Sequence, residues 1–412
     1  MRRPALATAL IVCATAICAA QPYLLEDFNS PEALEGREAV AATRTPAQFS
    51  LVPDGVTGGA ISVRLPGMVR LDLDPALLEG NAEWDACNGV SLMVRGDGSE
   101  SWGCIQFAGG GSNGGFSYSL YVSLRDRSWH EVRAHFSELV TADAALHGIG
   151  EPGMLPPSGI ARITLGDRWT IHWNNQPMPE HSFSIDDVRL IADAPEPPPA
   201  PLARPLEEVL RMMRDRQPMT IQCMGDSITA GTGLPDRDTQ RYAVLLQQRL
   251  RERLGYDGIV CYSRAVGGAK FNHGRAWYRR DFAGVQPDIV TIAYGYNDKS
   301  AGFPADYIRY CLEDYCLRIA RVTDGAAAIC PITTLPGGGP RFVMMDDYAR
   351  QIRDFCAGRE GIHCIDLAAQ IKPMGREAWG ALLGDMAHPN QQGHEWLADA
   401  IADWLIERME RL

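Results

Sequence analysis

Four short segments of this 412-residue chain carry side chains whose types and order suit an attack on a carbonyl group. Gly225-Asp226-Ser227-Ile228-Thr229 offers a hydroxyl nucleophile in Ser227, and Asp385-Met386-Ala387-His388 offers a base with a carboxylate three residues before it. A serine hydroxyl needs a neighbouring base to take its proton, and an imidazole needs a carboxylate to set its tautomer and stabilise its charged form. Ala265-Val266-Gly267-Gly268 and Tyr294-Gly295-Tyr296-Asn297-Asp298 supply donors for developing negative charge: with the Ser227 N–H, the Gly268 N–H and the Asn297 amide complete an oxyanion hole. Singly, each segment has a plain reading: Ser227 as a helix cap, Gly268 as a turn, Asn297 as an Asn-turn. Their succession points to chemistry. Asp226 and Asp298 read as structural carboxylates of their loops, and His394 as a surface or capping residue. Gly110-Gly111-Ser112-Asn113-Gly114 also fits a nucleophile-elbow pattern, but a strand follows it where the elbow requires a helix, so it reads as a glycine-rich loop. No zinc-like spacing of Cys and His occurs, and the chemistry requires neither metal nor organic cofactor.

Such residues work only if one framework brings them together. Apolar runs at 219–225, 258–266, 287–294, 326–333 and 361–366 read as strands, with helical patterns at 239–254, 304–321 and 346–357 between them. A last helix starts at the Asn390 cap and carries Trp396, Leu397, Ala400, Ile401, Trp404 and Leu405 on one stripe. Apolar strands alternating with helices predict a parallel sheet covered on both faces, whose ligands bind beyond the carboxyl ends of the strands. All four segments lie at such ends.

Ahead of this α/β unit (206–412) comes a proline-rich segment, 194–205, read as a semi-rigid spacer. Residues 21–193 read as an all-β sandwich, from period-two runs such as Phe116 to Leu124. Val90 to Val94 and the strand bearing Cys104 are predicted to form a hairpin turning near Gly96-Asp97-Gly98, with Cys104 opposite about position 93. Met1-Arg2-Arg3, the apolar run to Ala20 and the small residues before Gln21 read as a cleaved export signal covering 1–20, too short to span a membrane. Eleven cysteines would invite disulfides in an exported protein, but nine remain after the signal and most sit in apolar runs as buried hydrophobes. The formal charge of −12 excludes a phosphate-backbone binder, so no nucleic acid partner is expected. Net charge is −12 over 21–193 and −2 over 194–412.

On these motifs the second unit resembles the SGNH/GDSL-type hydrolases, over residues 219 to about 410. The resemblance implies a flavodoxin-like three-layer fold, Ser227, Asp385 and His388 as catalytic residues, and Ser227, Gly268 and Asn297 as oxyanion donors. One departure is visible: the second block often opens with Asn and a small Gly, where this chain has Ser263 and Ala265. The first unit is similar to family 11 carbohydrate-binding sandwiches at Glu26-Asp27-Phe28, Gly89 to Val94, Trp129 to Val132 and Ser184 to Val188. Sugar binding would use Tyr121, Trp102, Trp129, Trp169 or Trp173, with a packing or lid role as the rival reading. Glu26-Asp27 and Asp186-Asp187 read as solvated acids, with calcium as the other possibility. Together these readings imply a secreted or periplasmic esterase removing short acyl groups, acetyl above all, from polysaccharide. Asn272, His273, Trp277, Tyr278 and Tyr296 are the candidates for contacts to the alcohol side. A lipase-like or lysophospholipase-like esterase and a glycan-binding protein with an inactive hydrolase domain are the alternatives.

Overall fold

The computed structural model describes residues 22–30, 34–35, 38–40, 48–109, 116–140, 156–166, 172–173, 176–177 and 180–412. The export signal, the 110–114 loop and Trp169 lie outside the described residues, as does the Trp173 side chain.

The first half is built from β1 (Tyr23–Glu26), β2 (Glu38–Val40), β3 (Gln48–Val52), β4 (Ala60–Leu65), β5 (Met68–Asp72), the short helix α1 (Pro75–Leu78), β6 (Gly89–Gly96), β7 (Trp102–Gly109), β8 (Phe116–Ser123) and β9 (His130–His135). It closes with β10 (Ile160–Leu165), the two-residue pair β11 (His172–Trp173) and β12 (Gln176–Pro177), and β13 (His181–Ile191). One sheet runs β3-β4-β13-β6-β9 with β1 on β13; the other runs β2-β5-β10-β7-β8. The strand pairs of both sheets are antiparallel, so each strand turns alternate residues inward. Val90, Leu92 and Val94 of β6 thus meet Ile105 and Phe107 of β7 across a dry core.

That arrangement corrects the predicted hairpin. β6 and β7 are both apolar on one side, and both must face the same core, so the chain crosses from one sheet to the other between them. Cys104 therefore stands opposite Tyr121 of β8. Asp97 closes the crossing by accepting the N–H of Ser99 at 2.9 Å and of Ser182 at 2.8 Å. The nine described cysteines form no disulfide with one another. Asp186 is not solvated: it is fully buried and accepts N–H groups from Val56 (2.7 Å), Thr57 (2.9 Å) and Asp187 (2.7 Å). Three donors satisfy the charge that burial would otherwise penalise. No group of three or more potential metal ligands occurs among the described residues.

The second half begins with α2 (Leu206–Arg214), β14 (Met219–Gly225), α3 (Ser227–Ala230), α4 (Arg237–Gln240), α5 (Tyr242–Leu254), β15 (Ile259–Ala265) and α6 (Phe271–Asp281). It continues with β16 (Ile289–Ala293), α7 (Tyr296–Ser300), α8 (Ala305–Val322), β17 (Ala328–Pro331), α9 (Asp346–Cys356), α10 (Leu367–Ile371), α11 (Gly375–Ala381) and α12 (Gln391–Glu410). The sheet is parallel in the order β15-β14-β16-β17. The run at 361–366 extends it only through the bridges Ile329–Ile362 and Ile332–Ile365. Alternate strand residues feed two cores. Ile221 and Cys223 pack with α2, α5 and α12, whereas Met224, Val290 and Ile292 pack with α6, α8 and α9. This is a three-layer α/β fold preceded by a β-sandwich.

The proline-rich segment does not stand free. Ala194 and Ala203 are buried, the Arg204 N–H donates to the Ala327 carbonyl at 3.1 Å, and Arg321 Nε donates to the Pro198 carbonyl at 2.7 Å. No described helix is long and apolar enough to cross a membrane.

Candidate active site

The register of the sheet sets the site. Gly225 at the end of β14 lies level with Ala265 of β15 and Ala293 of β16, so three loops leave the same edge side by side. Directly after Gly225, Asp226 caps α3 by accepting the Ile228 N–H at 2.9 Å, which makes Ser227 the first residue of that helix. A first-turn N–H has no acceptor within its helix and is available to a ligand. After β15, Gly268 takes φ +79, a left-handed conformation that glycine adopts without strain. After β16, α7 carries Asn297, whose Nδ2 donates to the Ala269 carbonyl at 3.0 Å and to Asp226 Oδ2 at 3.3 Å. These bonds lock the Asn297 amide between the other two loops.

The fourth loop folds back on itself before α12. Gly384 N–H donates to the His388 carbonyl at 2.8 Å, and Asp385 Oδ1 accepts the N–H groups of Ala387 and His388, each at 2.7 Å. Asp385 Oδ2 lies 2.8 Å from His388 Nδ1, and His388 Nε2 lies 2.9 Å from Ser227 Oγ. Hydroxyl, imidazole and carboxylate thus stand in series across 161 positions of sequence. Burial works to raise the Asp385 carboxyl, but the bonds from His388 and Ala387 outweigh it and bring it down to about 2. It is therefore ionised at neutral pH.

Beneath these loops sit two further carboxylates. Burial lifts Asp226 and Asp298 to about 7 each, and the charge of Asp298 adds to the shift of Asp226. Asp298 accepts the Phe271 N–H at 3.1 Å and so holds the start of α6 against α7.

Tyr296 is buried, and its hydroxyl donates to the Met386 carbonyl at 2.9 Å and accepts from Arg341 Nη1 at 3.2 Å. It ties the Asn297 loop to the His388 loop rather than facing the alcohol side. Asn272, His273, Trp277 and Tyr278 all belong to the buried helix α6 rather than to a loop. Asn272 Oδ1 accepts from Arg275 at 2.8 Å and from the Tyr307 hydroxyl at 3.0 Å; His273 Nδ1 accepts the Lys270 N–H at 2.9 Å. Trp277 lies under the Arg280 guanidinium, and the Tyr278 hydroxyl donates to Glu138 Oε2 at 2.7 Å. The predicted loop contacts are thus internal pairs, which is how polar residues tolerate burial.

Tyr121 is buried as well, packed toward the α/β domain. Trp129 is held by its Nε1 to the Asp54 carbonyl at 2.9 Å, with Arg95 over its ring. His394 is fully buried rather than superficial. It stacks on Tyr242, its Nδ1 accepts the Tyr242 N–H at 3.2 Å, and burial lowers it to about 4. Sequence reasoning missed Arg341, although the glycine run 337–339 just before it signals a close backbone approach.

A nucleophile-type hydroxyl, a base and backbone donors at the carboxyl edge of a parallel sheet are the architecture of acyl-transfer hydrolases. Residues 223–396 match the model of the GDSL-like Lipase/Acylhydrolase family. No curated protein matches the chain. Among solved structures, the chain is similar to a lipase/acylhydrolase from Enterococcus faecalis (21% identity, TM-score 0.40, covering 47% of this chain and 97% of that one). It is also similar to a catalytic mutant of an acetylxylan esterase from Geobacillus stearothermophilus (21% identity, TM-score 0.39, 45% and 94%). A third likeness is to a family 11 carbohydrate-binding module from Clostridium thermocellum (17% identity, TM-score 0.32, 42% and 98%).

Proposed function

We propose that the protein is an exported serine esterase that removes short acyl groups, acetyl above all, from polysaccharide. The observation that carries the reading is the hydrogen-bonded series Ser227 Oγ, His388 Nε2, His388 Nδ1 and Asp385 Oδ2, with links of 2.9 and 2.8 Å. In the proposed reaction His388 takes the Ser227 proton as Oγ attacks the ester carbonyl. The N–H groups of Ser227 and Gly268 receive the oxyanion, joined by the Asn297 amide once its Nδ2 gives up the longer, 3.3 Å bond to Asp226 Oδ2, and the leaving alcohol takes the proton back from His388. Water activated by the same imidazole then hydrolyses the acyl-enzyme.

Purified protein assayed on 4-nitrophenyl acetate, butyrate and octanoate tests the proposal, with acetate release from acetylated xylan, mannan, pectin and peptidoglycan as the natural counterpart. Acetate is expected to be the best nitrophenyl ester, and Ser227→Ala to lower the rate by roughly 10³-fold or more. Preference for octanoate would move the assignment to a lipase-like enzyme; equal rates for the two proteins would leave a binding protein.

A further inference from the structure

A cavity of about 430 Å³ lies where three parts of the chain meet. The sandwich supplies β8, β9 and Trp102; the linker supplies residues 195–198; α6 of the α/β domain supplies Ala276, Tyr278 and Arg279. Its volume falls in the range of about 300–1,000 Å³ typical of small-molecule sites. Both arginines of its walls are already paired. Arg279 pairs with Glu138 at 2.7 Å, and Arg133 pairs with Asp193 at 2.6 Å. A phosphate or sulfate would find no unpaired cation there.

What remains is uncharged hydrogen-bonding capacity beside an aromatic surface. Ser119 is 3% exposed, and its Oγ has no hydrogen-bond partner among the described residues. A buried hydroxyl left in that state is destabilising, a penalty that a ligand hydroxyl would remove. His130 and His135 spend Nδ1 on their own segment, on the Ser128 carbonyl and the Ser137 hydroxyl, and Nε2 of each meets no described residue. Trp102 is half-buried in the cavity wall, where it packs on the apolar cluster that includes Tyr121.

The geometry points to a saccharide site in this cavity, taking a short, uncharged, hydroxyl-rich segment that stacks on Trp102 and bonds Ser119, His130 and His135. An aromatic face matches the C–H face of a sugar ring, and the hydroxyl and imidazoles match its rim. Because α6 forms one wall, the site is complete only with both domains together. The choice of polysaccharide fragments as probes rests on the esterase reading above; the chemistry of the walls does not.

Calorimetric titration of the full chain with xylotetraose, mannotetraose and cellotetraose tests this. At least one is expected to bind with one-to-one stoichiometry. Trp102→Ala, at the lip, and Ser119→Leu, which fills the interior, are each expected to weaken it about tenfold or more, equivalent to about 1.4 kcal/mol. The melting temperature and the 4-nitrophenyl acetate rate of each variant check that it is folded. Absence of binding by the intact chain, or unchanged affinity in folded Trp102→Ala, overturns the site. The nitrophenyl acetate assay keeps the two readings apart: sugar binding without hydrolysis defeats the esterase alone, and hydrolysis without sugar binding defeats the cavity alone.

Discussion

Asp385 divides its two oxygens between two tasks. One takes two backbone N–H groups and shapes the loop; the other faces His388 Nδ1. In Asp385→Asn the oxygen is still drawn to the backbone donors, which leaves the amide NH₂ facing Nδ1. That favours the tautomer with its proton on Nε2, which cannot accept from Ser227. A fall in kcat of roughly 10³–10⁴-fold on 4-nitrophenyl acetate is expected, with little change in melting temperature. A loss below tenfold would show that the carboxylate does not orient the ring. Asp298 gives a different signal, in stability rather than rate. Burial raises it to about 7, against roughly 3.9 in an unfolded chain. Between those pH values the native state keeps a proton that the unfolded state has released, so this group's contribution is fully present below about pH 4 and is lost as pH rises through 7. Asp298→Asn keeps an acceptor for the Phe271 N–H and removes the titration. Its urea midpoint relative to wild type is therefore expected to rise between pH 4.5 and pH 8, and a gap that stays constant or narrows contradicts the shift.

At the scale of elements, Asn297 depends on the bend that starts α7. Gly295 takes φ +116, and a Cβ there would lie 2.3 Å from Thr334 Oγ1, whose hydroxyl donates to the Tyr294 carbonyl. Gly295→Ala combines backbone strain with overpacking, so a loss of about 2–4 kcal/mol in urea unfolding is expected. Displacing the Asn297 amide is expected to lower kcat by a further 10²-fold or so; an unchanged kcat would show that Asn297 does not serve as a donor. The loops were legible in the sequence because their chemistry needs particular residue types at strand ends, and β14 to β17, α8, α9 and α12 were legible from apolar periodicity. Helix α6 was not. Asn272, His273, Arg275 and Arg280 look like loop or surface residues, yet all are buried, because each is paired with a neighbour. Pairing across elements leaves no periodic trace along the chain. The crossing between β6 and β7 was hidden for the converse reason: a Gly-Asp-Gly turn looks the same whether it joins strands within a sheet or between sheets.

At the scale of the molecule, one carboxylate of the acidic sandwich meets a cluster of bases on the other domain. Glu138 accepts from Tyr278 and from Arg279, each at 2.7 Å, and lies 3.6 Å from Arg321. Buried Arg318 donates to the carbonyls of Ser137 at 2.7 Å and Glu138 at 3.0 Å, and Arg321 also grips the linker at Pro198. Around this hub Cys104, Tyr121 and Val140 of the sandwich join the apolar cluster that α6 and α8 share. An interface so paired couples the two domains into one cooperative unit. Burial works to raise the Glu138 carboxyl, but Tyr278 and the arginines outweigh it and hold it below its ordinary value. Its contribution is therefore present above about pH 4.3 and lost as pH falls below it. Glu138→Ala leaves Tyr278 and Arg279 without their acceptor, and because the Arg279 side chain is 59% exposed a loss of about 1–3 kcal/mol is expected. Scanning calorimetry at pH 7 is expected to show one transition for the native chain and two for the variant, with the sandwich and the α/β domain melting apart. Acidifying the native chain is expected to bring it toward the same two-transition profile. A single transition that survives the substitution would show that the apolar contacts around Tyr121 hold the domains together unaided.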